Sequence, residues 1–174
     1  MPTLVLINGV PASGKSTLAR AWCERHADGL PLCLDLDALR SMLGGWRERL
    51  QEAGLAARDI ALAGITAHLG SGHDVVVPQY LRRPEFIDRL SLTAATCGAV
   101  FVETALIIDA TTAESRFGER AAALARADPH GALHAEMSQI VREFDDFLLT
   151  RPAVARLESG GALAQLETAI ARAR

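Results

Sequence analysis

The stretch that decides the fold runs from Ile7 to Arg20 and reads INGVPASGKSTLAR. Within it, residues 9–16 match the pattern GxxxxGK[ST] in full. The apolar run Leu4–Ile7 predicts a strand before this pattern, and a helix is predicted after it, from Lys15 to His26. A glycine-rich turn between a strand and a helix directs backbone N–H groups and the positive end of the helix at an anion. The stretch therefore predicts a phosphate-binding loop (P-loop) that holds a nucleoside triphosphate.

Each part of this loop has an expected role. Lys15 is expected to reach the β- and γ-phosphates, and the Ser16 hydroxyl to bind Mg²⁺. The alternative, a glycine-rich turn with an ordinary lysine, is disfavoured because both the motif and its strand–helix context are complete. The residues expected to bind ATP are Gly9, Pro11, Ala12, Ser13, Gly14, Lys15, Ser16 and Thr17, together with Gly160 in a later loop.

Outward from the loop, short apolar runs alternate with longer helical patterns. Further strands are predicted at 30–36, 74–77 and 99–108, with a short one in PAVARLE (152–158), and helices at 47–69, 84–97, 112–127, 133–149 and 161–174. Alternating strands and helices predict an α/β fold: a parallel five-stranded sheet with helices on both faces. Residues 1–174 are expected to form one domain, with ligands at the carboxyl ends of the strands.

The composition narrows the classes of protein. Of 174 residues, 49% are hydrophobic and 22% charged, and the net charge is −3, which argues against nucleic acid as the main partner. The start of the chain does not resemble a signal peptide, and no apolar run is long enough to predict a membrane span. Cys23, Cys33 and Cys97 follow no metal-binding spacing and are expected to be reduced thiols, so a cytoplasmic protein is expected. The oligomeric state is left open.

Other classes of P-loop protein lack support in the sequence. A GTPase needs a base-reading NKxD motif, which is absent, and the DxxG match at 128–131 follows a predicted helix rather than a strand. A motor ATPase usually has an acidic residue that ends a strand after four hydrophobic residues, whereas the third predicted strand of this chain ends VVVPQ (75–79), without an acid. A small kinase is the class that remains.

Two acids follow the second predicted strand. The segment CLDLDALRSM (33–42) places Asp35 and Asp37 two residues apart, so that on an extended strand both would face the same way. The carboxylate of Asp37 would take the proton of an attacking hydroxyl, while Asp35 would bind the metal or the substrate. Arg40 would hold an anionic group of the acceptor. Alternatively, Asp37 caps a helix that starts in this segment, and both roles are compatible.

The combination of NGVPASGKST (8–17) and LDLDALRSML (34–43) resembles the small P-loop kinases. This group includes the kinase domain of phage-type 5′-polynucleotide kinase, chloramphenicol phosphotransferase, and the shikimate, gluconate, adenylylsulfate and zeta-toxin kinases. The resemblance implies that Asp37 is the general base and that Arg40 helps to hold the acceptor. Polynucleotide kinases often end the third strand with an aspartate, whereas this chain has Gln79 and Tyr80 there, and these two are predicted to bind the acceptor. The alternative is a loop with solvated side chains.

The segment after the fourth predicted strand reads DATTAESRFGER (109–120) and places Arg116 and Arg120 on one helix face. The resemblance implies a helical lid, approximately residues 111–135, whose arginines neutralise the transferred phosphoryl group and exclude water. The alternative is a solvated basic face paired with Glu114 and Glu119.

Taken together, these features predict an ATP- and Mg²⁺-dependent kinase that phosphorylates a hydroxyl group of a small molecule, such as a metabolite, nucleoside or antibiotic. Three alternatives stay open: a 5′-hydroxyl polynucleotide kinase, a zeta-toxin-like nucleotide-sugar kinase, and a non-catalytic ATP-binding regulatory module. Nucleic acid is an unfavoured acceptor but is not excluded, and the sequence does not identify the acceptor.

Overall fold

The structure is a computed structural model that describes residues 1–123 and 137–174, except for the side chains of 119–123. Within this part, five strands form one parallel sheet in the order β2-β3-β1-β4-β5. They are β1 (Thr3–Asn8), β2 (Leu32–Cys33), β3 (Val75–Gln79), β4 (Val100–Ile107) and β5 (Ala155–Glu158). The helices are α1 (Lys15–Arg25), α2 (Leu36–Ser41), α3 (Leu50–Gly70), α4 (Pro84–Thr96), α5 (Ala110–Ala123), α6 (Met137–Leu149) and α7 (Ala162–Ala173).

Strand β1 lies at the centre of the sheet, and all its residues are buried. Leu4 and Leu6 pack against α3 and α4 on one face, whereas Val5 and Ile7 pack against α1 and α7 on the other. Burial on both faces explains why β1 is continuously apolar. Because β1 pairs with β3 and β4, the P-loop that follows it opens beside the carboxyl ends of both neighbours.

The predicted α/β fold is confirmed, but the second strand is much shorter than predicted. Only Leu32–Cys33 pairs with β3, and a helix, α2, begins at Leu36. Asp35 is the N-cap of this helix, because its Oδ1 accepts the backbone N–H of Asp37 at 3.0 Å and of Ala38 at 3.4 Å. The prediction of a strand through Leu36 was therefore wrong, since a capping carboxylate turns the chain into a helix there.

The other predicted elements are present with shifted ends. The helix predicted from residue 112 begins at Ala110, and the one predicted from residue 47 begins at Leu50. Residues 124–136, which include the later part of the predicted lid, lie outside the described residues. No helix in the described ranges combines the length and apolar character that crossing a bilayer requires.

A bidentate ion pair joins the segment after α6 to β4. Arg151 donates from Nε and Nη2 to the two carboxylate oxygens of Glu103, both at 2.6 Å, and the side chains are only 23% and 13% exposed. Glu103 raises the pKa of Arg151 through these hydrogen bonds. Bidentate pairs of this kind are stronger than ordinary surface ion pairs, so the contact fixes the path of the chain into β5.

The substitution Arg151→Met is expected to lower the free energy of unfolding by about 2 kcal/mol, because it leaves the Glu103 carboxylate largely buried without its partner. Urea denaturation measures this change. The matched control is Arg25→Met, which removes a more exposed pair with Glu167 (side chains 62% and 31% exposed) and should cost below about 1 kcal/mol. Equal losses in the two variants would contradict the assignment.

Candidate active site

The backbone of the P-loop turns through two residues in the left-handed region. Ala12 has a φ of 60° and Gly14 a φ of 95°, and Gly14 is the N-cap of α1. The Ser13 N–H donates to the Val10 carbonyl at 3.2 Å, which closes the turn. Left-handed geometry at the residue before α1 is what lets the loop wrap around the start of a helix, and glycine adopts it without a steric penalty.

Gly9 is required for a close approach to the neighbouring strand. A Cβ at Gly9 would lie 2.7 Å from Ser13 Oγ and 3.2 Å from the Leu106 carbonyl oxygen of β4. Ser13 Oγ is itself buried and has no hydrogen-bond partner among the described residues. The first turn of the loop is therefore packed against β4 with no room for a larger residue.

Lys15 lies across the loop, with Nζ donating to the Val10 carbonyl at 3.2 Å. Among the 18 lysine and arginine residues of the chain, Lys15 is the only lysine. A lysine ammonium is a compact charge on a flexible stem, which suits contact with different phosphates of a nucleotide. This single amine is therefore placed at the loop that the sequence assigns to phosphate.

Ser16 and Asp35 are brought together by the fold. Ser16 Oγ donates to Asp35 Oδ2 at 3.2 Å, while Asp35 Oδ1 caps α2. One carboxylate therefore touches both the first turn of α1 and the start of α2. A hydroxyl and a carboxylate are the hard oxygen ligands that Mg²⁺ prefers, and Mg²⁺ commonly keeps several waters. The chemistry of these two residues fits a magnesium site, and their role as its ligands stays a prediction.

Asp37 lies in the first turn of α2 and does not share the orientation of Asp35 that an extended strand would impose. Its Oδ1 pairs with Arg40 Nη2 at 3.1 Å, and its side chain is 64% exposed. The capping role that the sequence left open for Asp37 belongs to Asp35. Asp37 is therefore an accessible carboxylate two residues after Asp35, the residue that contacts Ser16.

Arg40 is held by an aromatic residue that the sequence analysis missed. Its guanidinium lies 5.4 Å from the centre of the Trp46 ring, and that of Arg47 lies 4.6 Å from the same ring. Such cation–π contacts restrict a guanidinium to one region of the surface. The signal in the sequence was GGWRER (44–49), in which one tryptophan is flanked by glycines and arginines.

Gln79 and Tyr80 lie at the carboxyl end of β3, but their side chains are engaged within the protein. Gln79 Oε1 accepts the Tyr80 N–H at 3.0 Å. The Tyr80 ring packs 5.9 Å from the Phe144 ring of α6, and its buried hydroxyl has no partner among the described residues. Burial raises the pKa of Tyr80. Tyr80 therefore serves packing between β3 and α6 in this conformation.

Arg116 extends from α5 to the P-loop, where its Nη1 donates to the Ser13 carbonyl at 3.3 Å. The helix is started by Asp109, whose two carboxylate oxygens accept the Thr112 N–H at 2.8 Å and the Thr112 hydroxyl at 2.7 Å. These hydrogen bonds lower the pKa of Asp109. The structure thus brings one predicted lid arginine to the loop. The side chain of the other, Arg120, lies outside the described residues.

A cavity of about 690 Å³ joins the P-loop to the β5–α7 connection. Its walls include Lys15, Ser16, Arg116 and, from the β5–α7 connection, Ser159 and Gly161. The loop residues Ala12, Ser13, Gly14 and Thr17 also line it. Its size is within the range of small-molecule and cofactor sites. Gly9, Pro11 and Gly160 are not among the lining residues. The β5–α7 connection therefore meets the cavity through the two neighbours of Gly160.

Comparisons with solved structures show the same fold in proteins of low identity. A candidate kinase from Chloroflexus aurantiacus superposes with a TM-score of 0.66 and 21% identity, covering 78% of this chain and 74% of its own. A gluconokinase from Sinorhizobium meliloti gives 0.61 and 19%, covering 98% and 92%. The Deinococcus radiodurans tunicamycin resistance protein gives 0.57 and 13%, covering 99% and 95%.

No curated protein matches the sequence significantly. A family model described as an AAA domain matches residues 4–145, a region that includes the P-loop, both acids of the α2 segment and Arg116. Because this match spans most of the chain, the protein belongs to the AAA domain family, and its fold is the one found in small P-loop kinases.

Proposed function

We propose that this protein is an ATP- and Mg²⁺-dependent kinase that transfers phosphate to a hydroxyl group of a small molecule. The observation that carries the proposal is the double contact of Asp35. One of its oxygens meets Ser16 of the P-loop, and the other caps the helix that presents Asp37 and Arg40. Phosphate transfer requires that the groups binding the nucleotide and the groups binding the acceptor are held close together. Asp35 does this by contacting both the P-loop and the helix that bears Asp37 and Arg40.

The candidate site residues divide into a donor set, which would bind the phosphate donor ATP, and an acceptor set, which would bind the molecule that receives the phosphate. In the donor set, Lys15 and Arg116 would stabilise the charge of the transferred phosphoryl group, and Ser16 with Asp35 would hold Mg²⁺. When bound, Mg²⁺ supplies charge neutralisation on the phosphates. The cavity of about 690 Å³ beside the P-loop would hold the nucleotide, with Ser159 and Gly161 near the nucleobase.

In the acceptor set, Asp37 would accept the proton of the attacking hydroxyl, because it is an exposed carboxylate close to the metal-binding pair. Its partner Arg40 would then be available to an anionic group of the acceptor. Gln79, at the end of β3, stays a candidate acceptor contact, and Tyr80 would contribute only if its ring left the packing against Phe144.

A panel of acceptors tests the proposal. Hydroxyl-bearing metabolites, antibiotics, nucleosides and oligonucleotides are incubated with the protein, Mg²⁺ and ATP labelled at the γ-phosphate. We expect label in a small molecule. Label confined to oligonucleotides, with a steep loss of activity as salt rises, would instead support a polynucleotide kinase. Tight ATP binding without transfer to any acceptor would overturn the kinase proposal and favour a regulatory module.

Two substitutions of Asp35 should separate its structural role from its role at the metal. Asp35→Ala is expected to lower the free energy of unfolding by about 1 kcal/mol, because α2 loses its N-cap. Asp35→Asn keeps a capping oxygen and should be nearly as stable as wild type. Both variants should need about tenfold more Mg²⁺ for half-maximal transfer. An unchanged Mg²⁺ requirement in Asp35→Asn would remove Asp35 from the metal site.

A further inference from the structure

The ladder between β1 and β3 is continued by a side chain. Its last backbone pair is Asn8 with Gln79. Beyond this pair the two strands diverge, β1 into the P-loop and β3 into the loop toward α4. Asn8 Oδ1 accepts the Leu81 N–H at 2.8 Å, and Asn8 Nδ2 donates to the Leu81 carbonyl at 2.8 Å. The carboxamide thus reproduces the donor and acceptor of a backbone peptide group, where no backbone is left to pair.

The same carboxamide also contacts the P-loop. Asn8 Oδ1 accepts the Gly9 N–H at 2.9 Å, so that one oxygen is shared between Gly9 and Leu81. Asn8 is 1% exposed, and hydrogen bonds in such surroundings are costly to break. The first residue of the P-loop and the loop after β3 are therefore connected through a single buried group.

The loop 79–82, which consists of the last residue of β3 and the three residues after it, has a second anchor on α6. The Tyr80 ring packs on Phe144, and Arg82 forms an ion pair with Glu143. Leu81 is 5% exposed and is part of the core cluster beside α3 and α4. This loop therefore contacts α6, the helix that follows the predicted lid, on one side. On the other side it contacts Asn8, which leads into the P-loop.

A buried polar side chain such as that of Asn8 can also be satisfied within the core and have no role beyond stability. Thr104 of β4 is such a case, because its hydroxyl donates to the Leu6 carbonyl at 2.8 Å between two strands within the sheet. The partners of Asn8 differ from the partner of Thr104. Gly9 lies in the P-loop, which the proposed function assigns to ATP, and Leu81 lies in the loop 79–82, which it assigns to the phosphate acceptor. Thr104 therefore provides a matched comparison.

We propose that Asn8 is a positioning residue that couples nucleotide binding at residues 9–16 to the conformation of the loop 79–82, which bears the candidate acceptor contact Gln79. The inference rests on the proposed function. A nucleotide in the cavity would contact the loop at residues 12–17 and, by ordering the loop, would also order its first residue, Gly9, which shares the Asn8 oxygen with Leu81. Asparagine is suited to this role because the Leu81 N–H needs a hydrogen-bond acceptor and the Leu81 carbonyl needs a hydrogen-bond donor, and an ionised aspartate lacks the donor.

The test measures backbone amide exchange with Mg²⁺ and ATP as the probe, so that it needs no known acceptor. In the wild type, ATP is expected to slow exchange about tenfold in both 9–16 and 79–82. In Asn8→Asp, protection of 9–16 should persist, whereas that of 79–82 should fall below about twofold. The control Thr104→Val, which removes one buried hydrogen bond in the next strand, should behave as the wild type.

Each outcome separates the two proposals. Wild-type protein without protection at 9–16 would refute nucleotide binding itself. Protection at 9–16 but not at 79–82 in the wild type would refute the coupling and leave the proposed function standing. Retained protection of 79–82 in Asn8→Ser, or its loss in Thr104→Val, would also refute the role of Asn8. Asn8→Ser is measured beside Asn8→Asp because a buried aspartic acid that stays protonated can still donate to the Leu81 carbonyl, whereas the shorter serine hydroxyl cannot replace the contacts to Leu81. Asn8→Ser also provides the test if Asn8→Asp does not fold.

An acceptor identified by the panel adds a kinetic readout. Asn8→Asp should then lower kcat about 100-fold with the KM for ATP within about threefold of the wild type, because misplacement of the acceptor affects transfer and not nucleotide binding. Thr104→Val should change neither constant by more than about threefold. A purely structural role would lower the stability of both variants without this split between kcat and KM.

Discussion

Replacement of Asp37 by asparagine is expected to lower kcat for phosphate transfer about 10³-fold while ATP affinity stays within about twofold of the wild type. Asparagine preserves the size of the side chain but cannot accept the proton of the acceptor hydroxyl. Asp37 is 64% exposed, and the N-cap of α2 is Asp35, so that loss of the Asp37 charge should not disturb the helix. Single-turnover transfer and nucleotide binding, measured on the same protein, test both halves of the prediction.

The matched control for this substitution is Asp59→Asn. Asp59 is an aspartate of similar exposure, 66%, and it also pairs with an arginine, Arg89, at 2.7 Å. This pair joins α3 to α4, and neither residue lines the cavity beside the P-loop. Asp59→Asn therefore removes one exposed charge and one ion pair without touching the site, and its activity should equal that of the wild type. Normal transfer by Asp37→Asn would exclude Asp37 as the general base.

The substitution Lys15→Met is expected to lower kcat/KM about 10³-fold, because it removes the ammonium that would stabilise the transferred phosphoryl group. Methionine keeps most of the length of the side chain and loses only the charge and its hydrogen bonds. The control Arg25→Met changes a cation at the other end of α1, whose partner is Glu167, and should leave transfer unchanged. Equal activity in the two variants would remove Lys15 from the reaction.

Because Lys15 is the only lysine in the chain, its position can also be tested without a known acceptor. An amine-reactive reagent should modify this side chain and the amino terminus. Mg²⁺ and ATP should protect Lys15 and leave the amino terminus reactive, which peptide mass spectrometry distinguishes. Equal reactivity of Lys15 with and without nucleotide would place it outside the phosphate-binding site.

The local features of the site could be predicted from the sequence. The P-loop depends on a short continuous segment, in which Gly14 supplies the left-handed backbone and Lys15 the charge, so that no distant contact is needed to recognise it. The alternation of apolar runs and helical patterns likewise predicted the parallel sheet. Both signals arise from residues close together in the chain, where spacing reflects geometry directly.

Features that depend on helix capping were harder to predict from the sequence. Asp35 and Asp37 were both suitable for a strand end and for a helix start, and local propensity alone did not distinguish these. In the structure, the Asp35 carboxylate accepts two backbone N–H groups and the Ser16 hydroxyl. The extended geometry that would have aligned the two acids is replaced by a helical turn, which separates the metal-binding candidate from the general-base candidate.

The sequence by itself determined the α/β fold and the phosphate-binding loop, because periodicity and the GxxxxGK[ST] spacing express backbone geometry within short segments. Only the tertiary structure decided which residues meet around that loop. Asn8 and Leu81, 73 positions apart, share hydrogen bonds because parallel pairing aligns β1 with β3, and Arg116 meets Ser13, 103 positions away, because α5 follows β4 on the other side. Such contacts follow from packing between distant elements, which no local pattern encodes.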